Sequence, residues 1–110
     1  MEVHKLRDMF KGWFIGNFTP TLLDTDAFEV AVKEYKAGDY EMGHYHKEAV
    51  EYTVILRGEA EMFQQRFSDG DIVCVQPNET TDFRALTDVI TVVVKTPSVK
   101  NDKYLTAPES

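Results

Sequence analysis

From residue 28 onward, short stretches of alternating or continuous apolar residues are separated by turn residues at close intervals, the pattern of an all-β sandwich or barrel. They predict strands at 28–35, 40–46, 51–56, 59–63, 72–75, 82–86 and 89–95. The separators have turn chemistry: Lys36-Ala37-Gly38-Asp39, Arg57-Gly58-Glu59, Ser68-Asp69-Gly70-Asp71 and Pro77-Asn78. Residues 66–71 read as turn throughout. Upstream, Trp13, Phe14, Ile15 and Phe18 crowd around Gly16 and predict a further strand at 13–18 that needs cover on both faces. Residues 1–12 are charged without a period and fit a helical turn or an extended arm. No segment sustains a helical period, so helix is minor or absent. Beyond Pro97 the chain is polar, and residues 96–104 either cross the barrel's rim or trail off.

Strand alternation assigns faces. If His44 and His46 point inward, Tyr40 and Met42 share their face; if Glu51 points inward, so do Thr53 and Ile55, while Tyr52, Val54 and Leu56 face outward. Both faces of that strand are apolar. The outer one needs cover from the strand at 13–18 or from a second subunit, and a homodimer is the expectation. Lys95 ends an apolar strand, where alternation with Val93 and Thr91 sets its ammonium at the pocket mouth or on the surface.

The stretch from Gly38 to Gly58 reads G-x5-H-x-H-x4-E-x6-G. Two imidazoles at i and i+2 converge from one face of a strand, and a tight return brings Glu51 opposite them. Two neutral imidazoles and a carboxylate suit a divalent first-row metal, with open positions left for a ligand.

With 110 residues, the chain has the length of one domain with a modest core. Its hydrophobic content of 43% is that of a folded globular protein. The formal charge of −7 provides no basic face for phosphates, so nucleic acid is not an expected partner. Cys74, the single cysteine, lies in the apolar run 72–75 and reads as a buried, inert thiol. Residues 1–18 lack an uninterrupted apolar run, so neither a signal peptide nor a membrane span is expected, and the protein reads as soluble and cytoplasmic.

The 38–58 stretch resembles the first motif of the cupin superfamily at every signature position. The second motif of that family, G-x5-P-x-G-x2-H-x3-N, is matched in part by residues 70–85: Gly70 and Asp71 fit, Pro77 stands beside the proline position at Gln76, and Asn78 replaces the glycine. Thr81 occupies the place of the last histidine ligand and Ala85 that of the asparagine. The resemblance covers residues 28–95. It implies a cupin-type double-stranded β-helix (jelly-roll) barrel, a strand at 13–18 outside it, a polar tail at 96–110, and a metal on His44, His46 and Glu51. Iron, manganese, zinc or nickel would suit that set. Asp82, beside Thr81, is an alternative fourth ligand if a bulge turns it inward. Tyr40, Met42, Thr53, Thr81 and Phe83 are the expected lining of a pocket for a small polar, carboxylate or sugar-type molecule, and Tyr40 is the acid–base candidate by position. The resemblance spans metal-dependent enzymes and non-catalytic ligand-binding modules alike.

Overall fold

Ten strands form in the computed structural model, which describes residues 1–106. In chain order they are β1 (Trp13–Ile15), β2 (Glu29–Tyr35), β3 (Tyr40–Tyr45), β4 (Val50–Arg57), β5 (Glu59–Met62), β6 (Gln65–Ser68), β7 (Ile72–Val75), β8 (Thr81–Ala85), β9 (Val89–Thr96) and β10 (Tyr104–Leu105). They pair antiparallel in two sheets of order β1-β2-β9-β4-β7 and β10-β3-β8-β5-β6. A 3-10 turn at Leu6–Asp8 supplies the helix among the described residues, and no helix is long and apolar enough to cross a membrane. The all-β architecture expected from the spacing of apolar runs, and the jelly-roll barrel that the resemblance implies, are observed. Residues 107–110 of the expected tail lie outside the described residues.

The core fills one half of the space between the sheets. Ile55 from β4, Val73 and Val75 from β7, and Val89 from β9 meet Ala60 and Met62 from β5 and Phe83 and Ala85 from β8. Tyr35 stacks on Phe83 at 4.4 Å between ring centroids, where the apolar half gives way to the polar one. The inward alternation of β4 is the expected one, with Glu51, Thr53 and Ile55 buried. The long register of β9 against both β2 and β4 sets Glu51 directly opposite Lys95.

Three sequence expectations are corrected here, and one left open is decided. Residues 66–71 are not all turn: Phe63 and Gln64, at φ 53° and 63°, reverse the chain, and β6 pairs back on β5. A two-residue reversal with both residues in the left-handed region normally announces itself as Asn-Gly, and Phe-Gln hides it. The run 72–75 is not buried on both faces. Val73 and Val75 point inward while Ile72 and Cys74 are exposed on the outer face, so Cys74 is not a buried thiol. The strand at 13–18 shortens to β1, which extends the sheet beside β2 instead of covering its outer face, and Tyr52, Leu56 and Ile72 stay exposed. For residues 96–106, left open between crossing the rim and trailing off, the first alternative holds. They cross the rim and end in β10, where Leu105 pairs with His44.

The two motif glycines have different jobs. Gly38, at φ 94°, turns the chain after β2 with open space where a side chain would stand. Gly58, at φ 98°, is the whole connection between β4 and β5, and a Cβ there would strike the Asp88 carbonyl oxygen. Gly38→Ala is therefore expected to cost the left-handed penalty alone, about 1–2 kcal/mol. Gly58→Ala must also displace backbone and is expected to cost more; urea unfolding of both variants measures the order.

Candidate metal centre

His44 is the last residue but one of β3, His46 lies just beyond that strand, and Glu51 is the second residue of β4; their exposures are 6%, 4% and 8%. Burying three polar side chains requires partners for their polar atoms, and the backbone supplies them at one end only. His44 Nδ1 is 3.0 Å from the Met42 carbonyl oxygen, and His46 Nδ1 is 2.7 Å from that of Asp102. A carbonyl only accepts, so each Nδ1 carries a proton, and the atom through which such a ring can bind a metal is Nε2. Thr53 Oγ1 donates to Glu51 Oε2 at 3.3 Å. What remains converges: one ligand atom from each of the three residues lies within 4.8 Å of the others. His46 Nε2 sits 3.8 Å from Glu51 Oε1 and has no hydrogen-bond partner in the protein. The donor set fits a divalent cation: bare imidazole nitrogens, a carboxylate, and carbonyls behind the rings that fix their tautomers.

The charge states match this use. Burial pushes the His44 pKa below the ordinary imidazole value, opposed by the Met42 carbonyl, so the ring is neutral at pH 7. Burial alone would raise the Glu51 carboxyl; its surroundings, the Lys95 ammonium among them, outweigh burial and hold its pKa below the ordinary carboxylate value.

A bulge in β3 decides which other residues join the site. Glu41 pairs with Phe83 and His44 with Thr81, so three steps on β3 match two on β8, with Met42 and Gly43 sharing the extra position. Simple alternation fails across it. Tyr40, expected inside, points out; its ring lies under the Arg84 guanidinium at 4.6 Å and its hydroxyl is 3.5 Å from Asp82 Oδ2. Tyr40 is thus no part of the cavity lining, and Glu41 takes the inward place. Glu41 Oε1 accepts from Lys33 Nζ at 3.0 Å and from the Tyr35 hydroxyl at 2.9 Å. Burial would raise its pKa, but the Lys33 charge and these two hydrogen bonds hold it below the ordinary carboxylate value. Tyr35 responds in the opposite direction, raised first by burial and then by the charge of Glu41.

Met42, Thr53, Thr81 and Phe83 line a cavity of about 450 Å³ together with the three converging residues, Glu41 and several lysines. Met42 stands at its rim, 54% exposed. Thr81 is buried opposite His44, and its hydroxyl donates to the Asp82 carbonyl at 2.8 Å. The Asp82 carboxylate touches the cavity wall but is not among the converging atoms.

The residue that sequence reasoning missed is Asp102. Its carboxylate accepts from the backbone N–H groups of Lys47, Glu48 and Ala49 at 3.0–3.3 Å, while its carbonyl holds His46. It thereby fixes both the loop between the ligands and the ring that ends β3. Burial would raise the Asp102 carboxyl, but the amides of Ala49, Lys47 and Glu48 outweigh it and hold the pKa below the ordinary aspartate value. A carboxylate with a depressed folded-state pKa stabilises the fold above its unfolded pKa, and that contribution is lost as pH falls through the folded value. Asp102→Asn is therefore expected to lower stability at pH 7 by about 1.5–3 kcal/mol. The deficit should shrink as pH drops below about 4, which urea unfolding across pH tests.

No protein-family model matches the sequence, and no curated protein matches it. Solved structures do match. An uncharacterised double-stranded β-helix protein from Klebsiella pneumoniae superposes with a TM-score of 0.71 at 22% identity, covering 79% of this chain and 76% of that one. The DMSP lyase DddQ from Ruegeria pomeroyi has a TM-score of 0.68 at 27% identity, over 79% of this chain and 47% of its own. Oxalate decarboxylase from Bacillus subtilis, an enzyme with Mn(II) centres, has a TM-score of 0.67 at 16% identity, over 74% of this chain and 24% of its own. The chain spans less than half the length of these two enzymes. Strand order, register and these superpositions agree: the chain has the double-stranded β-helix barrel fold, the fold of its cupin neighbours.

Proposed function

We propose that the protein is a small metal-binding cupin, a single domain on the barrel of residues 28–95, in which His44, His46 and Glu51 hold a divalent iron, manganese, zinc or nickel ion. The observation that carries this reading is the buried His46 Nε2, which lacks any protein partner and points to the same place as the His44 ring and the Glu51 carboxylate. A buried polar atom left unpaired costs about 1–3 kcal/mol, and a metal ion is the partner this set suits. When bound, such an ion supplies Lewis acidity toward a carbonyl or carboxylate, or positions for dioxygen.

The chain's own residues take the other parts. The molecule acted on is a small polar one, of carboxylate or sugar type, bound in the cavity lined by Met42, Thr53, Thr81 and Phe83. Phe83 and Met42 give it an apolar wall, and Thr53 orients the Glu51 carboxylate. Glu41 replaces Tyr40 as the acid–base group: both of its donors meet Oε1, which leaves Oε2 to take a proton from a bound molecule. A second reading, a non-catalytic module that captures the same class of ligand, is favoured by Thr81, whose hydroxyl is already spent on the Asp82 carbonyl where a fourth imidazole was expected.

Elemental analysis of protein purified without a histidine tag separates the two readings. Stoichiometric iron, manganese, zinc or nickel is expected, falling at least about tenfold in His44→Ala. Protein that arrives without metal and takes up none on dialysis refutes the metal reading and leaves the binding module.

We also propose a cytoplasmic homodimer. The outer face of the β2-β9-β4-β7 sheet leaves Tyr52, Leu56 and Ile72 exposed side by side, and β1 does not cover them. Light scattering after size exclusion is expected to give twice the chain mass. Ile72→Lys, which sets a charge on that face, is expected to give the monomer; a monomeric parent protein ends this part of the proposal.

A further inference from the structure

The cavity of an acidic protein would be expected to be acidic, yet Lys11, Lys33, Lys95 and Lys103 all line it in a chain of net charge −7. Their partners differ. Lys33 is spent on Glu41 and rests over the rings of Trp13 and Tyr35. Lys95 Nζ lies 3.6 Å from Glu29 Oε1 and 4.9 Å from the centre of the Trp13 ring. Lys103 has no carboxylate within 4.0 Å among the described residues. Although Lys103 is exposed as a residue, partial desolvation draws its pKa below the ordinary lysine value; Glu41 opposes this, and the like charges of Lys33, Lys95 and Lys11 add to it. Glu41, Glu51 and Asp82 line the same space, but Glu41 is held by Lys33 and Lys95 has Glu29, which leaves Lys103 as an ammonium that an anion in the cavity would compensate.

The position of Lys103 is prepared. It follows Asp102, which is pinned by three backbone amides and by the His46 ring, so the ammonium-bearing residue is tied to a residue of the converging triad. Lys95 is tied to another, standing opposite Glu51 in the β4–β9 register. Both lysines, with Trp13 and His46, also line an adjoining cavity of about 490 Å³, so they stand where the two spaces meet.

We propose that Lys103, together with Lys95, forms an anion subsite beside the His44–His46–Glu51 group, and that the molecule bound there is a small carboxylate instead of a neutral sugar. This rests on the metal reading above for one part of its charge balance. A divalent ion on two neutral imidazoles and one carboxylate retains one positive charge, and Lys103 adds a second; a neutral sugar compensates neither. The lining holds no arginine and no helix N-terminus, the groups that most often receive phosphate, so two ammonium groups and a metal point to a carboxylate. The cavity size is that of a small-ligand pocket.

Trp13 is the single tryptophan, lines the cavity and lies against both Lys33 and Lys95, so its fluorescence reports on the subsite. The test titrates the Zn(II)-loaded full chain with glycolate, inorganic phosphate and glucose, following Trp13 emission and the heat of binding. Saturable binding of glycolate is expected, with phosphate at least about tenfold weaker and glucose silent. Lys103→Gln should weaken glycolate by about tenfold or more, the loss of one charge-assisted hydrogen bond, and Lys103→Arg should retain it. Lys103 is exposed, so its variants are expected to fold; circular dichroism checks this, and Lys95→Gln replaces Lys103→Gln should that variant unfold. Equal glycolate affinity in Lys103→Gln and the parent, tighter phosphate or glucose binding, or no glycolate response by either readout overturns the proposal. The same titration on metal-free protein separates the two readings. Glycolate binding that depends on Lys103 in a chain that takes up no zinc preserves the anion subsite and removes the metal.

Discussion

Three polar side chains at the middle of a β-barrel have to be solvated by something other than water, and the way this is arranged governs the rest of the molecule. Carbonyls at Met42 and Asp102 serve the two histidines from behind, and the Thr53 hydroxyl serves one oxygen of Glu51. Each of these partners takes one polar atom of its group and leaves another without a backbone partner. The cavity-facing atoms are left together and unpaired, which an apolar core would not tolerate and which a cation or a polar ligand would satisfy. Placing the apolar contacts of Ile55, Met62, Val73 and Phe83 in one half of the barrel is what frees the other half for this use.

Much of this was legible in the sequence because strand periodicity is local. H-x-H on one strand and a glutamate at the start of the next need only alternation and a tight return, and the exposed, buried, exposed rhythm of β4 follows directly. What was illegible depends on contacts made far along the chain or on a broken period. The β3 bulge adds one residue and exchanges Tyr40 for Glu41 at the cavity, and nothing in Tyr-Glu-Met-Gly announces it. Cys74 looked buried because an apolar run of four carries no sign of which face is covered, and only the position of β1 at a sheet edge shows that the outer face is bare. Asp102 sits in a polar stretch with no pattern at all; its role exists only because the loop after His46 presents three N–H groups to it.

The lysines belong to the same lesson. Lys95 was placed by alternation at the pocket mouth or on the surface, and its pairing with Glu29 and contact with Trp13 settle it against the cavity. Lys33 and Lys103 have no such local cue. They reach the cavity from β2 and from the strap before β10, elements that approach each other only in the closed barrel. The net charge of −7 gives no hint of four lysines around one cavity, because a sum over the chain carries no information about which charges share a space.

The contact between His46 and Asp102 joins residues 56 positions apart. On a chain emerging at roughly 5–20 residues per second, the second partner follows the first by roughly 3–11 s. For most of that interval the two histidines and the glutamate are already part of the chain, but His46 has no carbonyl to fix its proton and the loop after it has no carboxylate to gather its amides. The ligands are therefore synthesised early and oriented last, and the centre matures with the closing of the barrel instead of nucleating it.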